Sequence, residues 1–106
     1  MNLKVISEPS PEVINQLTGA VMLEFGAGWC GFCKAAQGII STNLALFPDV
    51  QHIKIEDGKG LMLGRSFSIK LWPTLIFMKN GIEVKRLVRQ FVSEEIGSAL
   101  NLIADI

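Results

Sequence analysis

The stretch that decides the fold is Trp29-Cys30-Gly31-Phe32-Cys33-Lys34, a C-x-x-C pair between two strongly patterned segments. The preceding residues, Ala20–Phe25, form a near-continuous apolar run, which is typical of a strand buried on both faces. The following residues, Ala35–Phe47, are best interpreted as a helix, whose apolar side consists of Ile39, Ile40, Leu44 and Phe47. The sequence therefore places both cysteines at the junction of a buried strand and a helix.

The N-terminus of a helix changes the chemistry of a thiol. Free backbone N–H groups and the helix dipole favour a negative charge there. We therefore predict that Cys30 is the exposed attacker, because the thiolate rather than the thiol is the nucleophile. Cys33 lies one turn further on and is expected to face inward, from where it resolves the mixed disulfide.

A C-x-x-C pair also occurs in zinc sites, but tetrahedral zinc needs four ligands. The chain has no third cysteine, and His52 is its only histidine, which argues against a metal bound by one chain. A metal or iron–sulfur cluster shared between two chains remains an alternative at this stage.

The remaining elements follow from hydrophobic periodicity and turn residues. They are predicted in the order β-α-β-α-β-α-β-β-α, which favours a mixed sheet with helices on its faces. The predicted strands are Leu3–Ile6 at an edge, Ala20–Phe25, Val50–Glu56, Thr74–Met78 and Ile82–Val88, the last two joined by a hairpin turn at Asn80-Gly81. The first predicted helix is opened by Ser10-Pro11-Glu12, has Val13, Ile14 and Leu17 as its apolar stripe, and ends at Gly19. The other predicted helices are the one that ends at Pro48-Asp49, a short one at Leu61–Phe67, and a last one from Ser93 that buries Ile96, Leu100 and Ile103.

Length and composition limit the function classes. The length of 106 residues predicts a single domain, residues 1–106. Hydrophobic residues make up 49% of the chain and charged residues 19%, and this composition excludes intrinsic disorder. Ten basic residues balance ten acidic ones, which weighs against a nucleic-acid partner. No apolar stretch approaches the about 20 residues of a membrane span, and no signal peptide is evident. We therefore expect a cytoplasmic protein with no membrane partner.

The motif Trp29-Cys30-Gly31-Phe32-Cys33-Lys34 resembles the W-C-G-x-C-K motif of thioredoxins. The likeness extends to Trp72-Pro73-Thr74, where the family carries its cis-proline and threonine, and to the closing hairpin at Lys79-Asn80-Gly81. It covers nearly the whole chain. The resemblance implies an α/β thioredoxin fold, with a central mixed β-sheet of about five strands flanked by about four helices. It also implies thiol–disulfide chemistry with no cofactor and no metal.

The resemblance assigns roles to residues around the cysteines. Pro73 would be cis, and the backbone of the preceding residue, Trp72, would pair with an extended substrate peptide. Trp72 is larger than the small aliphatic residue usual there, so it either changes which partners fit or only packs on the rim. Trp29 would shield the site, and Lys34 is either solvated or adds a positive field.

Glu24 stands six residues before Cys30, where the family usually has a buried aspartate. The resemblance makes it the acceptor of the proton of Cys33, and we expect burial to raise its pKa toward that task. The alternative is an acid that reaches the surface at a strand end. If Ile53 and Ile55 face inward, His52 falls where a lysine usually faces this acid. We therefore predict a Glu24–His52 pair that tunes proton transfer, with a surface histidine and a Lys54 partner as alternatives.

Three departures from the family pattern affect substrate class and redox direction. Phe32 replaces the proline between the cysteines, and Gly38 replaces a helix-kinking proline, where it is expected to loosen or bend the helix. Arg89-Gln90 replaces a glycine in the loop that lines the peptide groove. A large cation at this position would narrow the groove, select acidic partners or stabilise the thiolate.

The function predicted from these observations is that of a cytoplasmic protein-disulfide reductase, active as a monomer in electron transport and cell redox homeostasis. Its partners would be protein disulfide substrates and a disulfide reductase or other thiol electron donor. The alternatives are a disulfide oxidase or isomerase with a more oxidising pair, and a non-catalytic thioredoxin-like binding module.

Overall fold

A computed structural model describes the backbone of residues 5–6 and 9–104 and the side chains of residues 9–104. Five strands and four helices alternate in the predicted order. The strands are β1 (Val5–Ile6), β2 (Ala20–Gly26), β3 (Gln51–Glu56), β4 (Thr74–Lys79) and β5 (Ile82–Val88). The helices are α1 (Pro11–Asn15), α2 (Gly31–Leu44), α3 (Met62–Ser66) and α4 (Ser93–Ile103). The predicted edge strand is observed at Val5–Ile6, while Leu3 and Lys4 lie outside the described residues.

The strands form one mixed sheet in the order β1-β3-β2-β4-β5. β1, β3 and β2 are parallel to one another, and β4 is antiparallel to both of its neighbours, β2 and β5. β2 and β4 therefore lie side by side at the centre of the sheet. The chain leaves β2 directly into the cysteine motif and enters β4 directly from Pro73, so the topology brings these two segments together.

Two apolar clusters cover the two faces of the sheet. Side chains alternate between the faces along β2, so that Val21, Leu23 and Phe25 pack with Ile14 of α1 and Leu63 of α3. The intervening residue Met22 belongs to the opposite cluster, which contains Ile40 of α2 and the predicted α4 stripe Ile96, Leu100 and Ile103. Glu24 follows this second register, which directs it toward α2.

The predicted bounds of two helices differ from the structure. Ser10 caps α1 as expected, since its hydroxyl accepts a hydrogen bond from the Val13 N–H at 3.2 Å. However, the helix ends at Asn15, and Val13 is exposed rather than part of the stripe. α2 begins at Gly31 and runs through Gly38, but it ends at Leu44. After Leu44 the helix continues as a tighter 3₁₀-type turn, in which the N–H groups of Leu46 and Phe47 each bond to the carbonyl oxygen three residues earlier.

The Asn80-Gly81 hairpin turn is confirmed. Both residues have positive φ angles, 50° and 80°, as a type I′ turn requires. The turn also lies close against the end of α1, because a Cβ at Gly81 would collide with the Asn15 carbonyl oxygen. In the part of the chain that the structure describes, no helix is long and apolar enough to cross a membrane.

Candidate active site

The two cysteines occupy different positions in the first turn of α2. Cys30 is the N-cap residue, with extended backbone angles, and Cys33 lies three residues further on. The Cys33 backbone N–H donates a hydrogen bond to the Cys30 Sγ at 3.1 Å. This N–H is one of the helix donors that have no partner within the helix. The structure thus gives Cys30 the backbone donor that would stabilise a thiolate.

Cys30 is buried, which corrects the prediction of an exposed attacker. Its exposed fraction is 5%, against 7% for Cys33. The N-cap position turns its sulfur inward over the helix end, and Ala27 and Trp72 pack against the cysteine pair. Access of a disulfide to Cys30 is therefore controlled by the residues around it.

Cys33 is held in the thiol form by its surroundings. Burial raises its pKa, and the hydrogen bond and charge of Cys30 and the charge of Glu24 raise it further. A backbone hydrogen bond from Ala27 acts in the opposite direction, and the pKa lies at about 11. Cys33 is thus protonated at neutral pH as long as the Cys30 sulfur forms no disulfide bond.

Gly26 at the end of β2 makes the inward position of Cys33 possible, and the sequence analysis missed it. A Cβ at Gly26 would lie 2.7 Å from the Cys33 Sγ, a separation that non-bonded atoms do not adopt. At Gly28, two residues later, a Cβ would meet nothing within 4 Å. The signal available in the sequence is the glycine at the end of a strand, which often marks a close approach.

Glu24 and His52 form the predicted pair. The His52 Nε2 lies 2.7 Å from the Glu24 Oε1, with exposed fractions of 5% and 3%. The second carboxylate oxygen accepts a hydrogen bond from the Gln37 Nε2 at 2.8 Å. Lys54, the competing partner, donates to the Gln37 Oε1 at 3.2 Å instead. Glu24 is therefore a buried acid rather than one that reaches the surface.

The pKa of Glu24 is lowered, which corrects the expectation that it is raised. Burial does raise it, but the hydrogen bonds from His52 and Gln37 and the positive charges of His52 and Lys54 outweigh burial. Gln37, which the sequence analysis missed, also donates to the Cys33 carbonyl oxygen at 2.9 Å. Gln37 lies one helical turn after Cys33, on the same face of α2, and this spacing could have identified it as a site residue.

A small cavity of about 100 Å³ connects Glu24 to Cys33. Its lining includes Glu24, Cys33, Gln37, Lys54 and Glu56. In the described part of the chain no hydrogen bond joins the Cys33 Sγ to Glu24. The cavity is large and polar enough for water to bridge the two groups.

The Trp72–Pro73 peptide bond is cis, as the family resemblance implied. Trp72 packs on the cysteines, and its indole N–H donates to the Asp57 Oδ2 at 2.9 Å. Trp29 meets the Trp72 ring edge to face, at 5.3 Å between centroids, and is itself 74% exposed. Among the described residues nothing accepts a hydrogen bond from the Trp72 backbone N–H.

Arg89 connects the two loops of the site. Its backbone N–H donates to the Pro73 carbonyl oxygen at 2.9 Å, and its Nε donates to the Trp72 carbonyl oxygen at 2.8 Å. Its guanidinium carbon lies 4.4 Å from the centre of the Phe32 ring, a cation–π contact. Two of the three departures from the family pattern, Phe32 and Arg89, are thus in contact with each other.

Within residues 5–6 and 9–104, no group of three or more His, Cys, Asp and Glu side chains is placed to hold a metal ion. Comparisons with known proteins identify the family of the chain. The family model described as Thioredoxin matches residues 4–101. Thioredoxin from Chlamydia trachomatis is 34% identical over 71 residues, which cover 67% of this chain and 70% of that protein. Thioredoxin H2-1 from Oryza sativa is 30% identical over 71 residues, and this match spans about half of the rice protein, 51%.

Among solved structures, the reduced form of thioredoxin 2 from Pseudomonas aeruginosa superposes with a TM-score of 0.83. The two chains are 39% identical, and the match covers 97% of this chain and 96% of the other. The sheet of five strands and the four flanking helices are therefore those of the fold that the resemblance implied.

Proposed function

The chain belongs to the thioredoxin family, and we propose that it is a thiol–disulfide oxidoreductase that reduces protein disulfides with Cys30 and Cys33. The observation that carries the proposal is the asymmetry of the two thiols. Cys30 receives a helix N–H on its sulfur, whereas the pKa of Cys33 is raised to about 11. One cysteine is suited to attack first, and the other stays protonated until it is needed.

The reaction proceeds in two exchanges. The Cys30 thiolate attacks one sulfur of the substrate disulfide, so that a Cys30–substrate disulfide forms and the other substrate sulfur leaves as a thiolate. Cys33 then loses its proton and attacks the Cys30 sulfur. The second substrate thiolate leaves, and a Cys30–Cys33 disulfide remains. The substrate gains two electrons and two protons, and a dithiol donor must return two electrons to the protein.

The structure supports this order of events. Two of the causes that raise the pKa of Cys33 are the hydrogen bond and the charge of Cys30. Both depend on a free Cys30 sulfur and disappear once that sulfur is bonded to the substrate. Formation of the mixed disulfide therefore makes Cys33 easier to deprotonate, which keeps the second attack from preceding the first.

The Glu24–His52 pair is the proposed acceptor of the Cys33 proton, through water in the cavity of about 100 Å³. The low pKa of Glu24 makes it a weak base in the resting protein. The proton transfer is thus expected to follow the mixed disulfide, when Cys33 has become more acidic. His52 positions the carboxylate through the 2.7 Å contact.

Substrate binding is assigned to the surface around the cis peptide. We expect the free Trp72 N–H to pair with an extended substrate backbone, as in strand addition. The Trp72 carbonyl oxygen has a second lone pair beside the one that Arg89 uses. Pro73 sets the path of this edge, and the exposed Trp29 and the half-buried Arg89 border it.

We propose that residues 1–106 form one domain, that the protein acts as a cytoplasmic monomer, and that a disulfide reductase or other thiol donor restores its dithiol. Its place would be in electron transport and cell redox homeostasis. Two apolar clusters on the two faces of a single sheet support the one-domain organisation.

The test is turnover of a protein disulfide with dithiothreitol as the electron source. We expect catalysis by the wild-type chain, none by Cys30→Ser, and slower turnover by Cys33→Ser, because its mixed disulfide can be resolved only by dithiothreitol. Equal rates for wild type and Cys30→Ser would overturn the proposal. Partner binding that survives Cys30→Ser without any turnover in the wild type would favour the binding-module alternative.

A further inference from the structure

Arg89 is held in one place by three separate contacts. Its backbone N–H binds the Pro73 carbonyl oxygen at 2.9 Å, its Nε binds the Trp72 carbonyl oxygen at 2.8 Å, and its guanidinium lies on the Phe32 ring. The backbone contact and the Nε contact fix both ends of a side chain that is otherwise flexible. The guanidinium is therefore positioned beside the cysteine pair before any partner arrives.

Most of the hydrogen-bonding capacity of this guanidinium is unused. A guanidinium carries five N–H donors, and Arg89 employs only its Nε–H among the described residues. The four N–H groups on the two terminal nitrogens have no acceptor there, and no described carboxylate forms an ion pair with Arg89. The outer edge of the guanidinium is thus an unpaired cationic fork.

Arg86, three residues earlier on β5, provides an internal comparison. Its Nε and Nη2 bind the two oxygens of Glu83, at 2.7 and 2.8 Å, and its Nη1 binds the Phe67 carbonyl oxygen at 2.8 Å. Arg86 is thus satisfied within the chain in the way that a structural arginine usually is. Arg89 has comparable anchoring but lacks the carboxylate.

We propose that Arg89 is a specificity-determining residue that binds a carboxylate of the substrate, so that the protein prefers disulfides with Asp or Glu close to the attacked cysteine. This inference rests on the proposed function and assigns its substrate class. A guanidinium fork matches the two oxygens of a carboxylate. Because the fork is already anchored, little conformational freedom is lost on binding.

The charges around the site make this preference depend on position. Asp57 follows β3 and Arg89 follows β5, on opposite sides of the two central strands that carry the cysteines and the cis peptide. Asp57 binds the Trp72 indole, and Glu56 accepts a hydrogen bond from the Gly28 N–H at 3.3 Å. The Asp57 side also carries Lys59, Arg65 and Lys70, which line one pocket with Asp57, so its charges are mixed. The Arg89 side presents a guanidinium with no carboxylate partner among the described residues, and an acidic residue in the substrate is favoured on that side.

The test uses disulfide-bonded peptides that differ in one residue. A single Glu is moved through the positions flanking the attacked cysteine, and each peptide has a Gln and a Lys counterpart. The rates are compared for the wild type, Arg89→Gln and Lys85→Gln. Lys85→Gln is the matched control, because it removes the same charge from an exposed site on β5.

With the wild type, we expect kcat/KM for at least one Glu peptide to exceed that for its Gln counterpart by about 3- to 10-fold. This ratio corresponds to an interaction stronger than an exposed ion pair and weaker than a buried, bidentate charge-assisted pair. The preference should vanish in Arg89→Gln, persist in Lys85→Gln, and shrink in ~1 M salt, where the screening length is about 3 Å. Equal rates at every position, or a preference that survives Arg89→Gln, would overturn the inference. Failure of the wild type to reduce any peptide would instead count against the proposed function.

Discussion

The close approach of Gly26 to Cys33 leads to a sharp prediction. In Gly26→Ala the new methyl carbon would stand 2.7 Å from the Cys33 Sγ, whereas ordinary contact begins at 3.4 Å. The sulfur or the helix that carries it must therefore retreat by about 0.7 Å. Cys33 has a single side-chain torsion and lies in the first turn of α2, so its sulfur has few other positions to adopt. Overpacking of this kind costs about 1–3 kcal/mol.

The same displacement should impair the second exchange. Misplacing a reacting group by about 1 Å can cost 100-fold in rate, and we expect resolution of the mixed disulfide to slow by about tenfold or more in Gly26→Ala. The first attack, by Cys30, should change much less. The assays are denaturant unfolding of the reduced protein and rapid-mixing kinetics of the two exchanges.

Gly28→Ala is the matched control for this experiment. Its Cβ would meet nothing within 4 Å, so we expect its unfolding free energy to stay within about 0.5 kcal/mol of the wild type. A Gly26→Ala protein that is as stable as Gly28→Ala and resolves its mixed disulfide at the wild-type rate would refute the packing argument.

Three further predictions follow from α2 and the buried acid. Gly38→Ala should raise the free energy of unfolding by about 0.5–1 kcal/mol, because alanine favours the helix more than glycine and its Cβ would meet no atom within 4 Å. An unchanged or lower denaturant midpoint would contradict this. The pKa of Glu24 is lowered from its usual 4.5, so its contribution to stability is present above that value and lost as pH falls through the folded pKa. Urea unfolding across this range should show the loss in wild type but not in Glu24→Gln, which should also slow the second exchange more than the first. In Cys30→Ala, thiolate absorbance should give Cys33 a pKa below the value of about 11, and an unchanged value would mean that Cys30 does not contribute to raising it.

Much of the fold was accessible from the sequence because its strongest patterns are local. The apolar run of β2, the serine cap of α1 and the Asn80-Gly81 turn each depend on a few neighbouring residues, and each lies where it was predicted. The helix ends were less accessible. Pro48 does not end α2, since the chain already tightens into i→i+3 hydrogen bonds after Leu44.

The site shows the same division. The C-x-x-C pair, the cis peptide and the Glu24–His52 pair were accessible from motif and register. The sign of the Glu24 pKa shift was not, because it also depends on the hydrogen bond from Gln37 of α2 and on the charge of Lys54, which is itself bound to Gln37. The burial of Cys30 was also missed, because Trp72 is brought onto the cysteine only by the tertiary packing of the cis loop.

The role of Gly26 depends likewise on a contact that is visible only in three dimensions. Nothing in the residue itself distinguishes it from Gly28, two positions later. The structure separates them, because the Cβ position of Gly26 points at the Cys33 sulfur and that of Gly28 points into open space.

The division of labour between Cys30 and Cys33 is tested most directly by trapping the mixed disulfide. Cys33→Ser and Cys30→Ser are mixed separately with an excess of a disulfide-bonded peptide, and the adducts are quantified by mass spectrometry over time. We predict rapid formation of a stable adduct on Cys30 in Cys33→Ser, reversible with dithiothreitol, and little adduct on Cys33 in Cys30→Ser near neutral pH. Equal or faster adduct formation on Cys33 would contradict the assignment of Cys30 as the attacking thiolate.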